Sequence, residues 1–431
     1  MKILLFSITV ATLAAQNFDI ALIGDMPYGP ASEPKFERVI ADINRQAVDF
    51  TIHIGDTKSG STRCDNVHYG KVANWFNSFD TGLIYTPGDN EWADCLRANN
   101  GAYDPLDRLS LVRKTYFGSN QSLGRRPVTV VRQSEDPKYA LYVENAMLVK
   151  GPAVFGTIHA IGSNNNLEYK LVQGAANTFY DNDREFTARN EANVAWLRKI
   201  FATAKQNKSL GILLAMQANI FDGFFETGTG STRSGFEEFV KVLRDETNAF
   251  AGEVVLVSGD SHYMRVDKPL TNRFPACTAT SGDCKAFDAS LDARGARVIN
   301  FTRVEVPGSA DVHWALCHVR PNSRNIFQFE FMIVADRPAG AAVTAAISGP
   351  AMLETNSLQV GLDASQSSTP NTGGLTYRWD VPAGYPQAAI LNAGTATPTI
   401  QMSTRGIYQF TVTVTDRTGA ANTATVTVRY I

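Results

Sequence analysis

Two apolar patterns alternate along the chain between residue 18 and about residue 335. Short runs rich in Val, Ile and Leu, "FDIALIGD", "DFTIHIGD", "GLIYTPGD", "GILLAMQAN" and "EVVLVSGDSH", each stop at a polar loop. Runs of this length and composition predict buried strands. Between them, apolar residues recur every three or four positions, the spacing of an amphipathic helix. Phe36, Val39, Ile40 and Ile43 mark one helix; Val194, Leu197, Ile200, Phe201 and Ala204 mark a second. A third is predicted to open at Ser234, with Glu237 three residues later completing a capping box, and to continue through Phe236, Phe239, Val240 and Leu243. Strands separated by helices call for crossover connections and an α/β architecture.

After "ADRPAGAAV" the helical spacing disappears and Thr, Ser, Gly and Ala become common. The strict alternation in "IYQFTVTVTDRTGAANTATVTVRY" predicts an all-β sandwich. The stretches "LQVGLDASQSS", "LTYRWD" and "GIYQFTVTVTD" also resemble the PKD domain, an Ig-like module. That resemblance implies that Trp379 and Tyr408 are core residues. No catalytic residue stands out in this region, so a spacer role or a carbohydrate or protein ligand is expected for it. The expected boundaries are residues 16–335, a linker at 336–342 and a sandwich at 343–431.

Composition narrows the functional classes. A length of 431 residues favours two or three domains over one. A net charge of −2, with no block of Lys or Arg, argues against a nucleic-acid partner. The opening "MKILLFSITVATLAAQ" places one Lys before an apolar run and small residues, the layout of a secretory signal over residues 1–15. It is too short for a membrane span, so a secreted or periplasmic protein without a membrane anchor is expected. Five cysteines agree with export. Cys64 and Cys95 lie in polar loops, Cys277 and Cys284 flank a Thr/Ser/Gly loop, and Cys317 is left over. Two local disulfides and one free thiol are expected, although four cysteines admit three pairings and the fifth admits more. No Cys-x-x-Cys pair suggests zinc.

The candidate chemistry comes from a recurrence. Asp25, Asp56, Asp89 and Asp260 each close a Gly-Asp pair at the end of a predicted strand, and His262 lies two residues beyond the last. In an open α/β sheet the carboxyl ends of the strands form the ligand-binding edge, so these side chains are expected to converge. Four carboxylates in one cleft repel one another unless protons or cations neutralise them. A pair of divalent ions is the economical solution.

These motifs resemble those of the calcineurin-like metallophosphoesterases over most of residues 18–335. That family's pattern runs Asp-x-His, Gly-Asp, Gly-Asn-His-Asp/Glu, a lone His and Gly-His-x-His, each at a strand end. Here "GDMPYG" supplies Asp25 with Pro27 in place of His, and "IGDTKSG" supplies Asp56 at the position bridging two metals. "PGDNEW" holds Asp89 at the metal-binding Asn position, Asn90 at the catalytic His position and Glu91 at the acidic one; "AMQANIF" puts Gln217 at the lone His, and "GDSH" supplies Asp260 and His262. The resemblance implies an α/β fold, a layered β-sandwich flanked by helices. It also implies a metal set of Asp25, Asp56, Asp89, Gln217, Asp260 and His262, with Asn90, Glu91 and Arg265 as catalytic or supporting groups. Oxygen ligands favour Mg²⁺, Mn²⁺ or Ca²⁺ over Zn²⁺, as one ion or two.

Activity on a small phosphate-bearing substrate is the expectation. Asn90 cannot supply a proton, and general acid help is worth ~10²–10⁴-fold. Phosphoanhydrides, nucleotides and activated diesters are therefore expected to be better substrates than alkyl monoesters. Arg265 and Lys58 are placed to hold phosphate oxygens, with a solvated loop charge as the plainer reading of each. Asn164 and Asn165 in "HAIGSNNN" follow another strand and are expected to approach the cleft. His53 reads as a core histidine, and His68, His159, His313 and His318 as core or surface. A Cys64–Cys95 bridge would tie together two metal loops. The competing readings are a catalytically impaired relative that binds a metal or phosphate-bearing ligand, and an adhesive protein in which the sandwich does the work.

Overall fold

In chain order the N-terminal part runs β1 (Phe18–Ile23), α1 (Glu33–Arg45), β2 (Phe50–His53), α2 (Asn66–Phe76), β3 (Gly82–Tyr85), α3 (Pro105–Tyr116), β4 (Val131–Arg132), β5 (Ala146–Lys150), β6 (Ala153–Thr157), α4 (Asn182–Gln206), β7 (Gly211–Ala215), α5 (Glu237–Asn248), β8 (Glu253–Ser258), β9 (Arg265–Asp267), β10 (Phe301–Glu305), β11 (Trp314–Val319) and β12 (Phe327–Met332). The computed structural model describes residues 16–170, 178–221, 234–272, 297–334, 343–369, 374–382, 384–416 and 420–431. The expected signal at 1–15, the linker at 336–342, and Cys277 and Cys284 lie outside the described residues. The chain divides into two units, Met1–Val334 and Ala335–Ile431.

The first unit holds two sheets, ordered β12-β11-β1-β2-β3 and β4-β5-β6-β7-β8-β10-β9. β1, β2 and β3 are parallel, as are β6, β7, β8 and β10. The strands read as near-continuous apolar runs because both faces are covered. In β1, Ile20 and Leu22 enter one core cluster while Ala21 and Ile23 enter another, and all four are fully buried. The cluster containing Ile20 and Leu22 also takes Phe50 and Ile52 from the first sheet and Phe155, Leu213, Val255 and Val304 from the second. It is therefore a core between facing sheets. The outer face of the first sheet is covered by α1, α2 and α3 through Phe36, Val39, Val72, Phe76 and Val112. The outer face of the second is covered by α4 and α5 through Trp196, Leu197, Ile200, Phe239 and Leu243.

Helix boundaries follow local chemistry. α4 starts earlier than its apolar stripe, at Asn182, because the Asp181 side chain accepts from Arg184 N at 3.1 Å and caps it. The expected start of α5 at Ser234 is corrected: the helix begins at Glu237, with Phe236 at the N-cap. Ser234 Oγ accepts from Phe236 N at 3.2 Å, a tight local turn that competes with the capping geometry.

The second unit is all β: β13 (Met352–Thr355), β14 (Gln359–Gly361), β15 (Leu375–Asp380), β16 (Ala389–Leu391), β17 (Thr399–Gln401), β18 (Gly406–Asp416) and β19 (Ala421–Tyr430). These form a four-stranded sheet, β13-β19-β18-β15, and a three-stranded sheet, β14-β17-β16. Tyr408, Phe410, Val412 and Val414 alternate inward along β18 and pack with Trp379. The Trp379 indole donates to Thr395 O at 3.1 Å and the Tyr408 hydroxyl to Thr404 O at 2.7 Å, so both large rings enter the core with their polar atoms satisfied. No helix among the described residues is long and apolar enough to cross a membrane.

Candidate metal centre

Six loops at the carboxyl ends of parallel strands carry the candidate residues. Asp25 follows β1, Asp56 follows β2, and Asp89, Asn90 and Glu91 follow β3. Gly162 and Ser163 follow β6, Gln217 follows β7, and Asp260 and His262 follow β8. Hydrogen bonds connect them across both sheets. Asp56 Oδ2 accepts from Asn90 Nδ2 at 2.7 Å, Tyr28 OH at 3.0 Å and Gln217 Nε2 at 3.2 Å. Gln217 Nε2 also reaches Asp260 Oδ1 at 3.2 Å, and Asp260 N donates to Asp25 Oδ2 at 3.1 Å. Asp89 Oδ2 accepts from Ser163 Oγ at 2.5 Å. The glycines of the Gly-Asp pairs make this closeness possible: an added β-carbon at Gly88 would collide with the Asp56 carboxylate, and one at Gly259 with that of Asp25.

The backbone is held in unusual conformations here. Asp25, Asp56, Asp260 and His262 have φ of 52°, 55°, 70° and 67°. Left-handed backbone costs an L-residue roughly 1–2 kcal/mol. Such strain persists only where the surroundings enforce it, and it concentrates at functional sites.

The electrostatics are equally costly. Burial, then the Asp260 charge, pushes the Asp25 carboxyl well above the usual carboxylate range. Burial, then Asp89 and Glu91, does the same for Asp56. Asp25 Oδ1 is buried and has no hydrogen-bond partner. It faces His262 Nε2 at 3.9 Å. His262 Nδ1 lies 2.6 Å from Ser309 O, and a carbonyl only accepts, so the proton is on Nδ1. Burial lowers the pKa of His262, against the Ser309 bond and the Asp89 charge. The neutral imidazole thus presents its Nε2 lone pair towards Asp25, the tautomer a metal-binding histidine needs. Among the described residues, however, no group of three or more His, Cys, Asp or Glu side chains closes into a finished metal cage. The distances show why: the Gln217 amide stands between Asp56 and Asp260, so amide hydrogens bridge these carboxylates.

The structure thus brings Asp25, Asp56, Asp89, Gln217, Asp260 and His262 into one connected cluster, with Asn90 beside Asp56. Glu91 sits beneath it, fully buried. Its carboxylate accepts from Asp56 N at 3.1 Å, Gly88 N at 2.8 Å, Thr57 Oγ1 at 2.7 Å and Thr57 N, joining the loops after β2 and β3. The Cys64–Cys95 disulfide joins the same two loop regions, with Cα atoms 5.7 Å apart, and Cys317 is a buried free thiol. Arg265 opens β9 and ion-pairs with Glu305 at 2.8 Å, its guanidinium 4.7 Å from the Tyr263 ring centroid. Lys58 is not a solvated loop charge: it is fully buried and donates to Asn100 Oδ1 at 3.0 Å and Ser59 O at 3.1 Å. Asn164 and Asn165 brace their own turn, and Ser163 beside them is the side chain that reaches Asp89.

Tyr28 and Ser163 were missed by the sequence reading. Burial and the Asp56 and Asp25 charges raise the Tyr28 phenol well above its ordinary range, keeping it a neutral donor. The only sequence signal was position, each lying within a few residues of a strand end that carries the motif. His159 is a core histidine. Its Nδ1 bonds Glu144 Oε1 at 2.7 Å while its Nε2 accepts from Trp92 Nε1 at 3.1 Å, fixing the residue next to Glu91.

Comparison with known proteins reaches the second unit. Residues 353–429 match a family described as a PKD domain. Similar solved structures include the PKD1 domain of Vibrio anguillarum Epp, at 30% identity, covering 21% of this chain and 93% of that one with a TM-score of 0.17. The PKD1 domain of the Vibrio cholerae metalloprotease PrtV aligns at 29% identity over 21% of this chain and 96% of that one, TM-score 0.16. GAP50 of Plasmodium, titled the anchor in the inner membrane complex, aligns over 75% of this chain and 90% of that one at 9% identity and TM-score 0.39, too loose a likeness to carry an argument. No curated protein matches the chain.

Proposed function

We infer, for a chain whose residues 353–429 belong to the PKD-domain family, that the first unit is a metal-dependent hydrolase of phosphate esters or anhydrides with a metallophosphoesterase-like layering. One observation carries the reading: the unpartnered Asp25 Oδ1 and the Nε2 lone pair of His262 face each other inside a cluster of buried carboxylates. Buried like charges are expensive unless paired or metal-bound. Asp25, Asp56, Asp89, Asp260, Gln217 and His262 would hold one or two divalent ions, with Mg²⁺, Mn²⁺ or Ca²⁺ suited to the oxygen donors. A divalent ion in such a site supplies charge neutralisation and a water of lowered pKa.

The chain's own groups do the rest. Asn90 Nδ2 and Tyr28 OH are neutral donors at the edge of Asp56, placed to orient a phosphoryl oxygen. Glu91 holds the Asp56 and Asp89 loops in register. Neither Asn90 nor a phenol raised above its ordinary range is a ready acid for a poor leaving group, so aryl esters, nucleotides and phosphoanhydrides are the substrates assigned. Hydrolysis of a bis-aryl phosphate and a nucleotide with Mg²⁺, Mn²⁺ and Ca²⁺, using Asp56→Asn as control, tests this. Metal-dependent turnover lost in Asp56→Asn supports it; a rate insensitive to leaving-group pKa counts against the assigned role of Asn90.

Asn90 also favours a second reading, a catalytically impaired protein that binds a metal or phosphate-bearing ligand through the same cluster. Saturable metal binding without turnover would select it. We assign the PKD unit a spacer or ligand-binding role, with a carbohydrate or protein as ligand, and place the chain outside the cytoplasm, where its disulfide persists.

A further inference from the structure

The turn after β6 is the most strained segment near the cluster. Ser163, Asn164, Asn165 and Asn166 have φ of 56°, 54°, 55° and 68°, four consecutive non-glycine residues in the left-handed region. L-residues visit that region singly, so a run of four must be enforced from outside. The restraints are visible. Asn164 Oδ1 accepts from Gly235 N at 2.7 Å. Asn165 is gripped by Arg189, whose Nη1 meets its Oδ1 and whose Nη2 donates to its backbone oxygen at 3.0 Å. Asn166 Nδ2 donates to Glu185 Oε2 at 2.7 Å, and its Oδ1 accepts from Asn182 at 2.6 Å. All three asparagines are buried.

This run delivers two contacts to the cluster. Gly162 N donates to Gln217 Oε1 at 2.5 Å, and Ser163 Oγ donates to Asp89 Oδ2 at 2.5 Å. The approach is as close as the chain allows, since a β-carbon on Gly162 would lie 3.2 Å from Asp260 Oδ1 and 3.3 Å from Asp89 Oδ2. Among the described residues, Asp89 Oδ1 accepts no hydrogen bond.

We propose that Ser163 is a positioning residue, held by the left-handed turn so that its hydroxyl fixes Asp89 Oδ2 and turns Asp89 Oδ1 to a divalent cation. The inference rests on the metal reading above and adds a residue to it. Hydrogen bonds that orient ligating groups typically contribute ~10–100-fold to metal affinity.

Two variants separate positioning from plain structural support. Ser163→Ala removes the hydroxyl. Ser163→Gly removes it and also relieves the left-handed strain, because glycine adopts that conformation freely. The full chain, stripped of metal, is titrated with Mn²⁺ by electron paramagnetic resonance, and its melting is followed in chelator. Both variants should bind Mn²⁺ about 10–100-fold more weakly, while Ser163→Gly melts no lower than wild type. Wild-type affinity in Ser163→Gly overturns the proposal and leaves the metal reading standing. A loss of affinity that merely follows a lower melting temperature in both variants also overturns it. A wild-type chain that binds no Mn²⁺ overturns both.

Discussion

Glu91 is the residue through which two loops of the cluster are joined, and it does so from a fully buried position. Its oxygens accept from two backbone amides and a hydroxyl on the β2 side and from Gly88 N on the β3 side. Glu91→Gln keeps the shape but turns an NH₂ group towards these donors. Charge-assisted bonds contribute roughly 1.5–3 kcal/mol each, so a loss of about 3 kcal/mol in urea denaturation is expected.

His53 gives a second prediction. It is fully buried, accepts from Gly55 N at 3.1 Å, and burial lowers its pKa to about 3. Below pH 6.5 the unfolded chain takes up a proton that the folded chain refuses, so stability falls as pH falls. The stability difference between wild type and His53→Asn should drop by about 1.4 kcal/mol per pH unit between pH 6.5 and about 3. A pH-independent difference would mean that His53 is charged in the fold.

Legibility at this scale followed local context. Asp25, Asp56, Asp89 and Asp260 stood out because each sits beside a glycine after an apolar run, and that glycine is the space the neighbouring carboxylate needs. Ser163 and Tyr28 did not. Ser163 reaches a partner 74 positions away and Tyr28 one 28 away, and no local pattern encodes such pairs. Lys58 looked like a loop charge because its partner, Asn100, lies 42 positions on.

Among the elements, strands and helices were readable where burial imposed a period. β1 shows apolar residues at nearly every position because two different cores flank it, and α1 shows Phe36, Val39, Ile40 and Ile43 because only one does. The left-handed turn at 163–166 was not readable. "SNNN" reads as a loop, and its conformation is imposed by Arg189, Glu185 and Gly235.

The loop elements also carry a covalent restraint. The Cys64–Cys95 bond closes a separation of 31 residues and spans the regions following Asp56 and Asp89. In the chain-entropy view such a closure stabilises by ~3–4 kcal/mol. A Cys64→Ser, Cys95→Ser double variant should lose about that much in urea denaturation. It should also need more Mn²⁺ for half-saturation, since both loops that present carboxylates are loosened. An unchanged metal requirement would reduce the bond to a staple.

As a whole molecule, the chain holds two sets of cores. Those of the first unit draw on β1 to β12 and their helices, whereas the second unit has its own cluster around Trp379, Tyr408 and Phe410. The change of pattern after residue 335 marked this second set in the sequence. A chain ending at Val334 should therefore fold, and should keep the metal affinity and any turnover of the full protein, checked by circular dichroism and Mn²⁺ titration. Loss of binding on truncation would assign the PKD unit a part in the site.

The central claim is that strained, buried carboxylates at the carboxyl ends of the parallel strands are held together by a divalent cation. Calorimetric titration of the metal-stripped full chain with Mn²⁺, beside Asp56→Asn, tests it most directly. The account predicts saturable binding of one or two ions per chain that Asp56→Asn abolishes or greatly weakens. No saturable binding, or binding indifferent to Asp56→Asn, would contradict it.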